Sequence, residues 1–237
     1  MTRLFSQMLN GVTCGDCIDV MSYMPARSVH FVLTDPPYLV RYHDRSGRRV
    51  INDDNDAWLK PAFAQIHRLL KPDSLCVSFY GWNKTEVFMA AWRDAGFRIA
   101  GHIVFRKNYA SSARHLSYTH EQAYLLAKGF PAFPDRPPPD VIDWHYSGNR
   151  LHPTQKPVQS VKPLIAAFTK PGDIVLDPFA GSGSTLIAAR ELARRFIGID
   201  LDPDHHRTAA QRLRPLNATR LQVHRQRRDV QPCKARG

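Results

Sequence analysis

Thr34-Asp35-Pro36-Pro37-Tyr38 has the sharpest chemical content of this 237-residue chain. It follows the apolar run 29–34 (VHFVLT), which reads as a buried strand stopped by proline. A carboxylate at such a strand end, held by two prolines and followed by an aromatic ring, makes a rigid polar site. One chemistry that needs it is methyl transfer to the exocyclic amine of a nucleobase. That nitrogen is a poor nucleophile, because its lone pair is delocalised into the ring. Two acceptors, the Asp35 carboxylate and the Pro36 carbonyl oxygen, would hold its N–H groups out of plane and aim the lone pair at a methyl sulfonium. Proline at 36 keeps the carbonyl and removes a competing donor. Tyr38 would stack on the base. The plainer reading is a strand-terminating turn, and the motif alone is only moderately specific.

A second segment, Asp177-Pro178-Phe179-Ala180-Gly181-Ser182-Gly183-Ser184-Thr185, links a strand to a helix. Ligands of open α/β sheets sit at such turns, outside the carboxyl ends of strands. Gly181 and Gly183 would let backbone approach a ligand, and the helix start behind them favours an anion. A phosphate-binding loop would need Gly-Lys-Ser/Thr, and no Lys is present. A dinucleotide fingerprint would need a glycine at position 186, which is Leu. The looser F-x-G-x-G turn of S-adenosylmethionine binders remains, beside a plain tight turn. The next strand ends in Gly198-Ile199-Asp200, where an acidic residue fits ribose hydroxyls. Asp202 reads as a helix cap, with Pro203 in first position.

These segments need a scaffold. Residues 10–24 read as a short strand or turn and a short helix closed by Pro25. A long polar loop follows at 39–56, then a helix over 57–70, a turn at Lys71-Pro72-Asp73 and a buried strand over 74–80. Residues 84–95 are amphipathic, with Gly96 as C-cap, and 97–105 and 119–127 read as strands. The prolines of 130–156 leave little room for regular structure. A helix is expected over 157–169, then a strand at 173–177, a helix at 184–194, a strand at 195–200 and a helix at 203–213. Strands alternating with helices imply a doubly wound, largely parallel α/β sheet.

With these motifs in order, the chain resembles the amino-group DNA methyltransferases of N6-adenine or N4-cytosine type, in the β-group arrangement that places the catalytic segment before the cofactor turn. The order here is Gly15-Asp16-Cys17, Thr34–Tyr38, His152-Pro153-Thr154-Gln155-Lys156-Pro157, Asp177–Thr185 and Gly198-Ile199-Asp200. The match runs from about residue 10 to 213, and all five segments together are highly specific. The resemblance implies a Rossmann-like sheet with one antiparallel strand, and S-adenosylmethionine as methyl donor. It gives catalytic roles to Asp35, Pro36, Pro37 and Tyr38. Cofactor contacts fall to Phe179, Gly181 and Gly183 in the turn, Asp177 near the methionine moiety and Asp200 at the ribose. Asp16 would accept from the cofactor's adenine amino group. Thr154 and Lys156 would approach its carboxylate, for which a hydroxyl and an ammonium are good partners. An Asp opening the catalytic segment points to adenine, with N4-cytosine the runner-up. RNA or small-molecule methylation and a silent DNA-binding homologue are the other classes weighed. A duplex target would have to be flipped out of the stack.

The formal charge of +12 suits a polyanionic partner. All of the excess falls in three places: +3 in 39–49, +3 in 106–118 and +6 in 214–237. The first two are the expected recognition loops, 39–56 and 106–118, with Arg41, Arg45, Arg48, Arg49, Arg106, Lys107 and Arg114 as phosphate contacts and Tyr42, Tyr109 and Tyr118 for stacking. The third is expected to be a disordered basic tail. The domain would span 1–213, with a catalytic half over about 10–130 and a cofactor half over about 150–213. A small monomer offers limited DNA contact, which favours a homodimer.

No apolar run spans a membrane and no secretory signal is evident. Four cysteines suit a cytoplasmic thiol state. Cys14 and Cys17 have zinc spacing but lack a second pair, so no metal is expected. Pro232-Cys233 lies in the tail and reads as chance. His205 and His206 read as solvated, and Trp58, Trp82, Trp92 and Trp144 as packing residues. Tyr80 or Trp82 is a candidate for the base pocket.

Overall fold

The computed structural model describes residues 3–41, 51–113, 115–145 and 155–214. A short helix α1 (Arg3–Met8) leads into β1 (Gly11–Cys14), α2 (Cys17–Ser22) and β2 (Val29–Thr34). Then come α3 (Leu59–Leu69), β3 (Leu70–Phe79), α4 (Thr85–Asp94), β4 (Arg98–Arg106), β5 (His120–Lys128) and β6 (Val141–Asp143). The chain continues with α5 (Val158–Phe168), β7 (Ile174–Asp177), α6 (Ser184–Glu191), β8 (Arg195–Asp200) and α7 (Pro203–Arg212).

The strands form one eight-stranded sheet in the order β1-β8-β7-β2-β3-β5-β4-β6. All pairings are parallel except those of β5, which runs against both β3 and β4. This is the Rossmann-like sheet with one antiparallel strand. Alternation along each strand assigns side chains to its two faces. Val32, Cys76 and Leu176 face a core built with Phe5, Met21, Phe63, Ile66 and Trp92 of α1–α4. Phe31, Leu33, Val77 and Val175 face a second core with Val161, Leu164 and Ile165 of α5 and Leu186 of α6. Both faces are covered, which is why the central strands read as continuous apolar runs.

Three local expectations need correction. The turn at Lys71-Pro72-Asp73 is absorbed into β3. Val29 pairs Leu70 and Phe31 pairs Leu75, so these residues bulge out of the ladder, with Asp73 at φ 53°. Residues 141–143, within the proline-rich stretch, form β6 beside β4. The helix expected over 157–169 is one residue shorter at each end, with Pro157 as the N-cap of α5. Among the described residues no helix is long and apolar enough to cross a membrane.

Candidate active site

The parallel strands end at one edge of the sheet, and the residues just beyond them line a common cavity. Asp16 follows β1, Asp35 to Tyr38 follow β2, Phe179 and Gly181 follow β7, and Asp177 and Asp200 close β7 and β8. Segments far apart in sequence thus converge because right-handed crossovers return every parallel strand to the same edge.

The catalytic segment is knit internally. The Tyr38 hydroxyl donates to Asp35 Oδ1 at 2.8 Å. The Lys156 ammonium donates to Asp35 Oδ2 at 2.6 Å and to the Tyr38 oxygen at 3.2 Å. Burial pushes the Asp35 carboxyl above its ordinary value, opposed by Lys156 and the Tyr38 hydrogen bond. Burial, with Asp35 and Glu121, holds the Tyr38 phenol well above its own. Lys156 thus lines the cavity and lies against the catalytic carboxylate. Its residue is only 8 % exposed, and a buried ammonium requires a charged partner.

At the glycine turn, the Gly181 N–H donates to Asp200 Oδ2 at 2.6 Å, and Asp200 Oδ1 accepts from the Asp202 N–H at 2.9 Å. Asp200 thus braces the turn besides facing the cavity. Gly181 lines the cavity with φ 50°. Gly183 is not among the residues lining the cavity: it caps α6 at φ 80°, and a Cβ there would meet the Ala209 Cβ of α7 at 3.1 Å. Asp16 Oδ1 caps α2 by accepting from the Ile18 N–H at 2.7 Å. Asp177 Oδ1 accepts from the Phe179 N–H at 3.2 Å, and burial pushes its carboxyl up to about 7.

The pocket offers what a long zwitterionic ligand would need. Its walls carry Trp58 edge-on to Phe179 at 5.2 Å, and acidic groups stand at Asp16 and Asp200. At the first residue of α6, the buried Ser184 hydroxyl has no hydrogen-bond partner among the described residues.

Trp58 is the packing residue the sequence suggests and also lines the cavity, its indole N–H donating to the Asn52 and Asn55 carbonyls, both at 2.9 Å. Sequence reasoning missed Glu121, a carboxylate near the start of the half-buried β5. His205 is not merely solvated: its Nδ1 lies 3.5 Å from Asp200 Oδ1, and Nε2 of His206 lies 3.2 Å from the Val12 carbonyl oxygen. Tyr80 is buried against Trp92 and Tyr124 and lines no part of this cavity, and Trp82 stacks on Tyr118 outside it. Cys14 and Cys17 are free thiols, and no metal-binding cluster occurs among the described residues.

The expected DNA contacts divide. Arg41 is exposed just past the catalytic segment, and Arg106 is exposed and paired with Asp143 at 2.8 Å. Lys107 is a correction: its ammonium is buried against Glu121 at 2.5 Å and lies over the rings of Tyr109 and Trp144, not at the surface where a phosphate contact would need it. Tyr42, Arg45, Arg48, Arg49, Arg114, Thr154 and the tail beyond Arg214 lie outside the described residues.

The fold and this site define an amino-group methylase, and comparison places the chain. Residues 29–139 and 135–211 match the family model described as DNA methylase, and the protein belongs to that family. It is 57% identical over 199 residues to YubD, a protein of Escherichia coli (strain K12) that carries a methylase name, covering 84% of this chain and 88% of YubD. It is also similar to the crystal structure of M1.HpyAVI, with TM-score 0.70 and 25% identity over 87% of this chain and 99% of that one. TTHA0409 from Thermus thermophilus, complexed with S-adenosyl-L-methionine, matches at TM-score 0.64 and 25% identity over 85% of this chain and 93% of its own.

Proposed function

We propose that the protein transfers a methyl group from S-adenosylmethionine to the exocyclic N6 amine of adenine in duplex DNA, at a specific site and after flipping the base. The observation that carries the reading is the shared cavity. The Asp35–Tyr38 segment and the Asp177–Asp200 elements, which suit a nucleobase amine and a nucleoside cofactor respectively, open into the same space.

The bound cofactor supplies an electrophilic methyl group. The chain's residues supply position and electrostatics. Asp35 and the Pro36 carbonyl accept from the target amine and turn its lone pair out of the ring plane. Burial raises the proton affinity of Asp35, which suits it to take the proton that the nitrogen sheds after transfer. Tyr38 supplies an aromatic face to the extruded base. Asp200 and Asp16 accept from the ribose and adenine of the cofactor, and the Ser184 hydroxyl stands where a polar tail could be met. Exposed Arg41 and Arg106 hold phosphates, and the basic tail beyond residue 213 adds contacts without reading sequence. The single-domain reading of 1–213 with a separate tail belongs to the same proposal, as does cytoplasmic action.

The test is direct. The purified chain is incubated with labelled S-adenosylmethionine and unmethylated DNA, and the DNA is digested to nucleosides. Label in N6-methyladenine is expected; label in N4-methylcytosine would move the reading to cytosine. No transfer to DNA would sink it.

A further inference from the structure

Behind the catalytic segment, the sheet edge carries four buried or half-buried charges of alternating sign. Lys107, one residue past β4, donates to Glu121 Oε1 on β5 at 2.5 Å. Lys156, in the segment before α5, donates to Asp35 Oδ2 at 2.6 Å. Both ammoniums lie over the Trp144 ring, just past β6, at 5.1 Å for Lys107 and 6.0 Å for Lys156. Such an array is costly to desolvate, and apolar residues of similar volume would often serve stability as well or better. The two carboxylates are also used unequally. Asp35 accepts from both Tyr38 and Lys156, whereas Glu121 accepts from Lys107. Yet Lys156 and Lys107 both favour the ionised form of Glu121, and Glu121 in turn bears on the Tyr38 hydroxyl.

We propose that Glu121 is a positioning residue for methyl transfer: it is the second acceptor, to which the Lys156 ammonium turns when the target amine takes its place at Asp35. The inference rests on the amino-methyltransferase reading above. An exocyclic amine arrives with N–H donors, and the Asp35 carboxylate it needs already receives two. An ammonium has three donors and no acceptor, so a Lys156 displaced into a dry edge without a partner would be expensive. Glu121 provides the destination on the same edge, and its ion pair with Lys107 holds it in place. Asp35 is thereby released to the substrate without a bare buried charge. The charged and titratable groups facing Glu121 are Lys107, Lys156, His120 and Tyr38, with Asp35 beyond.

The experiment compares the full wild-type chain with Glu121→Gln and Glu121→Asp, measuring kcat, KM for DNA, its pH dependence and S-adenosylmethionine affinity by calorimetry. Glu121→Gln is expected to lower kcat roughly tenfold to a hundredfold, the scale of a misplaced catalytic group, with cofactor affinity unchanged. The acid limb of its kcat profile moves to lower pH, because the Glu121 charge no longer raises Asp35. Glu121→Asp restores part of kcat. Should Glu121→Gln fail to fold, Lys107→Met/Glu121→Gln removes both partners of the pair and carries the same test. An active wild type with unchanged kcat and pH limb in the variant overturns this inference alone. A wild type that methylates no base overturns the parent reading, and this one with it.

Discussion

Lys156 and Asp35 form a 2.6 Å ion pair across 121 positions of sequence, joining the segment before α5 to the end of β2. Lys156 opposes the burial that raises the Asp35 carboxyl. In Lys156→Met that opposition is gone, and the carboxyl stays protonated to higher pH. The acid limb of the kcat/KM profile, which reports the free enzyme, is therefore expected to move to higher pH, opposite to the shift in Glu121→Gln. A limb that stays put would show that Lys156 does not govern the ionisation of Asp35.

Asp177 gives a stability signature. Its carboxyl lies near 7 in the folded protein, raised by burial and by Asp35, against about 3.9 in an unfolded chain. The folded state holds this proton more tightly, so the contribution is fully present below the unfolded value and is lost as pH rises through about 7. Melting temperature is expected to fall across that window, and Asp177→Asn should flatten the fall. S-adenosylmethionine, which carries positive charge, should raise Tm more above the window than below it. A gain independent of pH would separate Asp177 from the cofactor.

The two turn glycines are expected to fail in different ways. Gly183→Ala puts a Cβ at φ 80° and 3.1 Å from Ala209, which should cost about 1–3 kcal/mol of stability with cofactor affinity nearly intact. Gly181→Ala, also strained at φ 50°, acts in the cavity wall and should weaken the cofactor in addition. Paired denaturant melts and calorimetry check the division, and equal losses of cofactor affinity in the two variants would refute it.

Asp200→Asn tests the brace beneath the turn. The amide keeps an acceptor but loses the charge that receives the Gly181 and Asp202 N–H groups. Charge-assisted hydrogen bonds of this kind contribute about 1.5–3 kcal/mol, so cofactor affinity should fall on the order of tenfold to a hundredfold. Isothermal titration measures it, and wild-type affinity would exclude Asp200 from the binding site.

Removal of residues 217–237 should weaken DNA binding and shallow its salt dependence by about 0.9 per lost phosphate contact in log–log slope. The methylated sequence should stay the same, as sequencing of modified sites would reveal. A changed site would assign recognition to the tail.

Much of this architecture is legible in residue order. The runs at 29–34, 174–177 and 195–200 announce central strands because both their faces are covered. The acidic residues at their ends announce the cavity. What escapes depends on neighbours far along the chain. β6 has three residues and exists through pairing with β4, and α1 is six residues long with Phe5 and Met8 turned inward. Lys107 reads as a phosphate contact among basic neighbours until Glu121 is seen beside it. One signal is available in the sequence: a glutamate near the start of a strand that turns apolar needs a partner, and the lysines at 107 and 156 are candidates.

The reversed polarity of β5 has an evolutionary consequence. Had β5 run with its neighbours, the link from β4 would have had to cross a face and come back from the opposite rim. Running against them, it returns directly, and the connection between β4 and β5 hangs over the rim where Lys107 and Glu121 sit. Added length in that connection would extend over the chemistry while every ladder below kept its register. A compact methylase of this kind can therefore lengthen at one point of its rim and leave the catalytic segment and the sheet beneath it unchanged.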